Sequence, residues 1–205
     1  MKGLLDSVDE LKKSEVREII KKRINEFKSF EKKTNRDWFC ELCYCLMTAN
    51  WKAEESMKLQ EELGHEGFCD LEHKKLEDFL KKKGHRFWPQ RAERIVDARK
   101  YQNIKNILKK EKLPREWLVN NIKGLGYKEA SHFLRNVGYE DYAIIDFHIV
   151  DLLVKEKIIE RPNTLTKNKY LEIENVLRIL GKKSGLTLAE LDLYLWYLET
   201  GKILK

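Results

Sequence analysis

The chain has 205 residues, 42% hydrophobic and 37% charged, with only 10 Gly and 3 Pro, a composition that excludes collagen-like, mucin-like and wholly disordered classes. The formal charge is +7 and is unevenly spread: residues 74–115 hold 15 Lys/Arg against 5 Asp/Glu, leaving the remainder slightly acidic. No run approaches the roughly 18 apolar residues of a membrane span, the start MKGLLDSVDELKK has no signal-peptide apolar core, and the four Cys follow no secreted disulfide pattern, so a soluble intracellular protein is expected. Helical spacing then dominates in chain order. Val16, Ile19, Ile20, Ile24, Phe27 and Phe30 mark a long helix; Trp38, Phe39, Leu42, Leu46 and Met47 mark another, with Thr34 or Asn35 as its cap. A third follows Asn50 and Trp51 and ends near Gly64, and shorter amphipathic stretches cover 71–82, 89–100 and 104–110. Pro114 opens a short helix through Trp117 and Leu118, as Pro fits a first helical turn. Further helices are expected over 128–136, 147–157, 167–180 and 188–199, and no convincing strand alternation appears. The prediction is an all-α unit spanning 1–205, of roughly ten helices, with no linker separating independent domains.

Residues 115–137 are the most informative. A short amphipathic helix runs into Gly124-Leu125-Gly126 and a second begins at once. Two Gly allow a tight reversal and close approach of backbone amides to another molecule, and the following helix start is a natural phosphate seat. Ala130, Leu134 and Val137 supply a buried stripe at i, i+4 and i+7. This pattern reads as a helix-hairpin-helix, against the plainer alternative of an αα-turn. Lys128 falls one turn inside the second helix, where the dipole disfavours a cation and so favours the neutral amine a nucleophile needs. Asp146, after Ala143-Ile-Ile145 and before an apolar stretch, reads as an N-cap whose fixed carboxylate suits stabilising a nearby cation or managing protons.

Together these residues resemble the helix-hairpin-helix DNA glycosylase superfamily, in which hairpin, lysine and aspartate follow in that order. Met47-Thr-Ala-Asn-Trp51 is similar to the segment that fills the gap left by a flipped nucleotide, and the stretch from Gly84 through Arg86, Phe87, Trp88 and Arg91 to Ile95 is similar to the family's Gly-aromatic-Arg-Ala-Ile stretch. The ending, Leu191 to Lys205, resembles the type 2 8-oxoguanine DNA glycosylases. The resemblance implies two helical lobes flanking an active-site cleft. It also implies excision of 8-oxoguanine from double-stranded DNA through a lysine Schiff base, followed by cleavage of the abasic strand by β-elimination; no cofactor is expected, and a monovalent cation at the hairpin is left open.

On that reading Lys128 and Asp146 are catalytic. Lys205, Trp196, Phe87 and Trp88 recognise the base, by the Lys205 side chain, the chain-end carboxylate or aromatic stacking. Gly124, Gly126, Asn50, Arg86 and Arg91 hold the DNA. A monomer working beside nucleoid DNA in a prokaryotic cytoplasm is expected. Ala143-Ile-Ile145 stands where the superfamily usually carries a Gly/Pro-rich turn. Cys40, Cys43 and Cys45 read as buried helix residues rather than metal ligands, and His148 as structural. The competing readings are a glycosylase for another damaged or mispaired base and a non-catalytic helix-hairpin-helix DNA-binding protein.

Overall fold

The computed structural model describes residues 1–205 as twelve α-helices without a strand. They are α1 (Lys2–Leu11), α2 (Val16–Ser29), α3 (Asn35–Thr48), α4 (Ala53–Cys69), α5 (His73–Lys82), α6 (Trp88–Ala98), α7 (Ile104–Leu108), α8 (Pro114–Asn121), α9 (Tyr127–Asn136), α10 (Phe147–Lys155), α11 (Lys167–Ser184) and α12 (Leu188–Thr200). One helix, α1, has no counterpart in the predicted set. It is amphipathic, and Leu4 and Val8 bury its inner face one turn apart. The break foreseen near Gly64 exists, since Gly64 leaves helical geometry at φ 56, ψ −161, but helix resumes to Cys69.

Two compact units divide the chain: residues 30–133 form one, and residues 1–29 with 134–205 form the other. The first is built around α3. Trp38, Phe39, Leu42, Cys43, Tyr44, Cys45, Leu46 and Met47 are all essentially inaccessible, as is Glu41, so α3 is buried on every side, with α4, α6 and α7 packed around it. Thr34 starts it with a capping box closed by Asp37, and Trp38 spends its indole N–H on the Phe30 carbonyl at 2.8 Å. The cysteines fill this core, and burial pushes the Cys40 thiol up to about 12. At the far end of α3, the chain enters the turn that carries Asn50.

In the other unit α12 packs against α1, α2, α10 and α11. Thr187 and Glu190 form a capping box at its start, and Leu188, Leu191, Leu193 and Leu195 are buried along it. Arg135 pairs with Asp192 in the interior, lies over the Phe27 ring and hydrogen-bonds Asn136. Gly138 sits at φ 100 with its Cα against the Phe27 carbonyl, where a Cβ would approach within 3.1 Å. From there the chain runs without helix or strand through Ala143, Ile144 and Ile145 to Asp146.

Candidate active site

The hairpin forms where expected, between α8 and α9. Gly124 adopts φ 92, so the position needs glycine for conformation, and a Cβ on it would also displace the Arg94 side-chain end, which lies 2.5 Å away. Lys123 ties the loop to α6 through Glu93 at 2.6 Å, and Arg115 joins α8 to α9 through Ser131 at 3.3 Å. Ala130, Leu134 and Val137 are buried, as their spacing implied.

Lys128 is the second residue of α9, nearer the helix start than one full turn, with its side chain 31% exposed. Its Nζ lies 3.8 Å from Glu129 Oε1. Glu129 also reaches beside Gly126, where a Cβ would stand 3.3 Å from its carboxylate. A phosphate at this helix start therefore meets amides and lysine together with one acid, a mixed field rather than a uniformly positive one.

The turn after α3 is braced by three donors. His85 Nε2 approaches the Met47 carbonyl at 3.1 Å, Trp51 N–H donates to Thr48 O at 3.0 Å, and Arg91 donates to Ala49 O. These carbonyls belong to the last turn of a helix, where no intrahelical partner exists. Asn50 stands beyond them, exposed, at φ 58. His85 is fully buried, its Nδ1 accepts from Phe87 N–H at 3.3 Å, and Trp51 lies on it at 4.0 Å between ring centroids. Burial, reinforced by the charge of Arg91, pushes its imidazole down to about 4.

Arg91, expected as a DNA hook, is only 3% exposed, and its Nε and Nη1 have no hydrogen-bond partner. Desolvation lowers its pKa to about 10. Arg86 is exposed and lies over the Phe87 ring at 5.0 Å; Lys81 lies over Trp88 at 5.1 Å. Phe87 and Trp88 are half-buried. The first unit thus gathers Asn50, Phe87 and Arg91 around His85, and carries Gly124, Gly126 and Lys128 on its hairpin.

Asp146, Trp196 and Lys205 belong to the other unit. Asp146 caps α10, its Oδ1 accepting from Ile149 N–H at 3.0 Å, which leaves the second carboxylate oxygen outside that bond. Two residues on, His148 stacks on Phe147 at 4.1 Å and meets Trp196 edge-on at 5.1 Å. Trp196 and Lys205 are half-buried. A family profile described as 8-oxoguanine DNA glycosylase matches residues 20–186.

The chain belongs to the 8-oxoguanine DNA glycosylase family. It is 56% identical to the 8-oxoguanine DNA glycosylase/AP lyase of Methanocaldococcus jannaschii, over 98% of this chain and 99% of that protein. It is 42% identical to the protein of that name from Thermotoga maritima, over 99% of each. The crystal structure of the M. jannaschii glycosylase/lyase in complex with a 15mer DNA containing 8-oxoguanine matches with a TM-score of 0.96 at 55% identity, covering 98% of this chain and 99% of that one. The T. maritima 8-oxoguanine DNA glycosylase structure matches at 0.93 and 42%, covering 100% and 99%. The all-α helix-hairpin-helix architecture is therefore that of the 8-oxoguanine DNA glycosylases.

Within this glycosylase, several residues escaped the sequence reading. His148, expected to be structural, packs between Phe147 and Trp196, a contact that its sequence position alone does not announce. Phe147, 67% exposed at the start of α10, was read only as an apolar helix position. Arg94 and His85 lie within the Gly84–Ile95 stretch but were given no role of their own. Their roles depend on what lies against them in space.

Proposed function

We propose that this protein excises 8-oxoguanine from duplex DNA and then cleaves the strand at the abasic site, with Lys128 as nucleophile and Asp146 as the carboxylate that serves it. End-to-end similarity to glycosylase/lyases supports the reaction class. The observation that carries the residue assignment is a part-exposed lysine at the second position of the helix directly after the hairpin. A target base stacked in duplex must be flipped out, at about a few kcal/mol. The exposed Asn50 is suited to occupy the gap, because its left-handed turn is held from behind by His85 and Arg91.

Lys128, as a neutral amine, attacks the sugar's anomeric carbon and the bond to the base breaks. Asp146 steadies the positive charge developing on the sugar and takes up a proton from the attacking amine. The sugar ring then opens, the C1′–O4′ bond breaking as O4′ takes the proton held by Asp146, and the Schiff base so formed acidifies the neighbouring C2′–H. Loss of that proton expels the 3′ phosphate by β-elimination, and hydrolysis of the imine returns the lysine. Trp196, Phe87 and Trp88 offer ring faces for the extruded base, and Lys205 is the candidate reader of its oxidised edge. An acceptor facing the hydrogen that 8-oxoguanine carries on N7 rejects guanine strongly, because guanine leaves that acceptor unpaired. Such a substrate would place the protein with nucleoid DNA in the cytoplasm.

The test is a panel of duplexes, each with one lesion: 8-oxoguanine, an oxidised pyrimidine, mispaired adenine and undamaged guanine. Excision and alkali-independent strand cleavage are expected for 8-oxoguanine above the others. Preference for another lesion would transfer the activity to it, and binding without release of any base would leave a DNA-binding protein.

A further inference from the structure

The approach to Asp146 departs from the superfamily pattern, with Ala143-Ile-Ile145 in place of a self-stiffening Gly/Pro turn. These three residues are buried at 2%, 8% and 0% exposure and belong to neither helix nor strand. Buried backbone groups must find partners elsewhere. Two side chains of α11 supply them. Ala143 N–H donates to Glu174 Oε1 at 3.0 Å; Tyr170 O–H donates to Ala143 O at 2.7 Å; and Ile145 N–H donates to Tyr170 Oη at 3.2 Å. One hydroxyl thereby bridges residues i and i+2, as the edge of a partner strand would.

We propose that Tyr170 and Glu174 are positioning residues that clamp this segment and so fix the Asp146 carboxylate for the excision step. The proposal rests on the assignment of Asp146 made above. Tyr170 and Glu174 are four residues apart on α11, hence on one face, and are themselves only 2% and 5% exposed, so the clamp is rigid. The last clamped amide, that of Ile145, immediately precedes Asp146, and the Asp146 side chain is held in turn by Ile149 N–H. No unrestrained residue lies between clamp and carboxylate. Packing alone does not fix this geometry. Ala143, Ile144 and Ile149 line a small void, apolar apart from Asp192, with Leu177 and Leu188, and apolar contact leaves a chain free to rotate or slip where directional bonds do not.

Tyr170→Phe removes both hydroxyl bonds while keeping the ring. In the full-length protein, single-turnover excision of 8-oxoguanine is expected to fall about tenfold or more, with affinity for a tetrahydrofuran-containing duplex kept within about twofold. Glu174→Gln, which retains an acceptor, should excise at nearly the wild-type rate, and Glu174→Leu should fall as Tyr170→Phe does. On an Asp146→Asn background, Tyr170→Phe should cost little more. The proposal is overturned if Tyr170→Phe excises within about twofold of wild type, if rate and affinity fall in proportion, or if its loss adds in full to that of Asp146→Asn. Should Tyr170→Phe not fold, Glu174→Gln and Glu174→Leu decide, and equal rates for the two overturn it. Wild-type excision by Asp146→Asn alone would instead remove the assignment of Asp146, and the clamp's purpose with it.

Discussion

His85 shows how a single buried side chain can brace the turn that carries Asn50. Both ring nitrogens are used, one toward Met47 O and one by Phe87 N–H, so the neutral imidazole is the form the fold requires. Its pKa is pressed down to about 4 from an ordinary 6.5, so the unfolded chain binds the proton more readily. The stabilisation from the buried ring is therefore complete above about pH 6.5 and drains away as pH falls toward 4, on the order of 3 kcal/mol in all. Denaturant unfolding between pH 8 and pH 4 measures this, and His85→Asn should flatten the slope; an unchanged slope would mean that other groups carry it. At the other end of the chain, deletion of Lys205 is expected to reduce preference for 8-oxoguanine over guanine while the melting temperature holds. Undiminished preference would relieve Lys205 of base reading.

At the level of elements, α3 and the hairpin were legible because their signals are local. An apolar run broken only by Glu41 announces a buried helix, and Gly124-Leu125-Gly126 announces a reversal. The hairpin makes a direct prediction. Gly124→Ala places a Cβ in a left-handed conformation and against Arg94, so stability should fall by about 1 kcal/mol or more, read from chemical denaturation, and affinity for abasic-analogue duplex should fall with it. An unchanged affinity would detach the hairpin from DNA binding. The Tyr170–Glu174 clamp, in contrast, was illegible. It joins positions 25 to 31 residues apart, and neither side chain stands in a motif. The packing partner of His148 was illegible for a similar reason, since Trp196 lies far along the chain.

For the whole molecule, the basic stretch 74–115 looked like one surface when counted by residue, and the structure divides it. Arg91 and Arg115 are buried, Arg99 donates to the Phe68 and Leu71 carbonyls, and Lys105 donates to those of Glu31 and Lys33. These cations hold the fold together. The exposed set, including Lys81, Lys82, Arg86, Lys100 and Lys110, remains for phosphates. Charge counts cannot tell the two classes apart, because a carbonyl-bound lysine and a solvated one read alike in sequence. Lys100→Gln is accordingly expected to weaken damaged and undamaged duplex alike and to make the logarithmic salt slope shallower by about 1, whereas Lys105→Gln should lower the melting temperature and leave the slope unchanged. Equal effects of the two on the salt slope would reject the division.

All of this chemistry presupposes a bond between one lysine and deoxyribose. The protein incubated with an 8-oxoguanine duplex and borohydride, then digested and mapped by mass spectrometry, tests that bond directly. The predicted result is a stable protein–DNA adduct attached at Lys128 and lost in Lys128→Gln. An adduct on another amine, or base release with no trappable adduct, would contradict it.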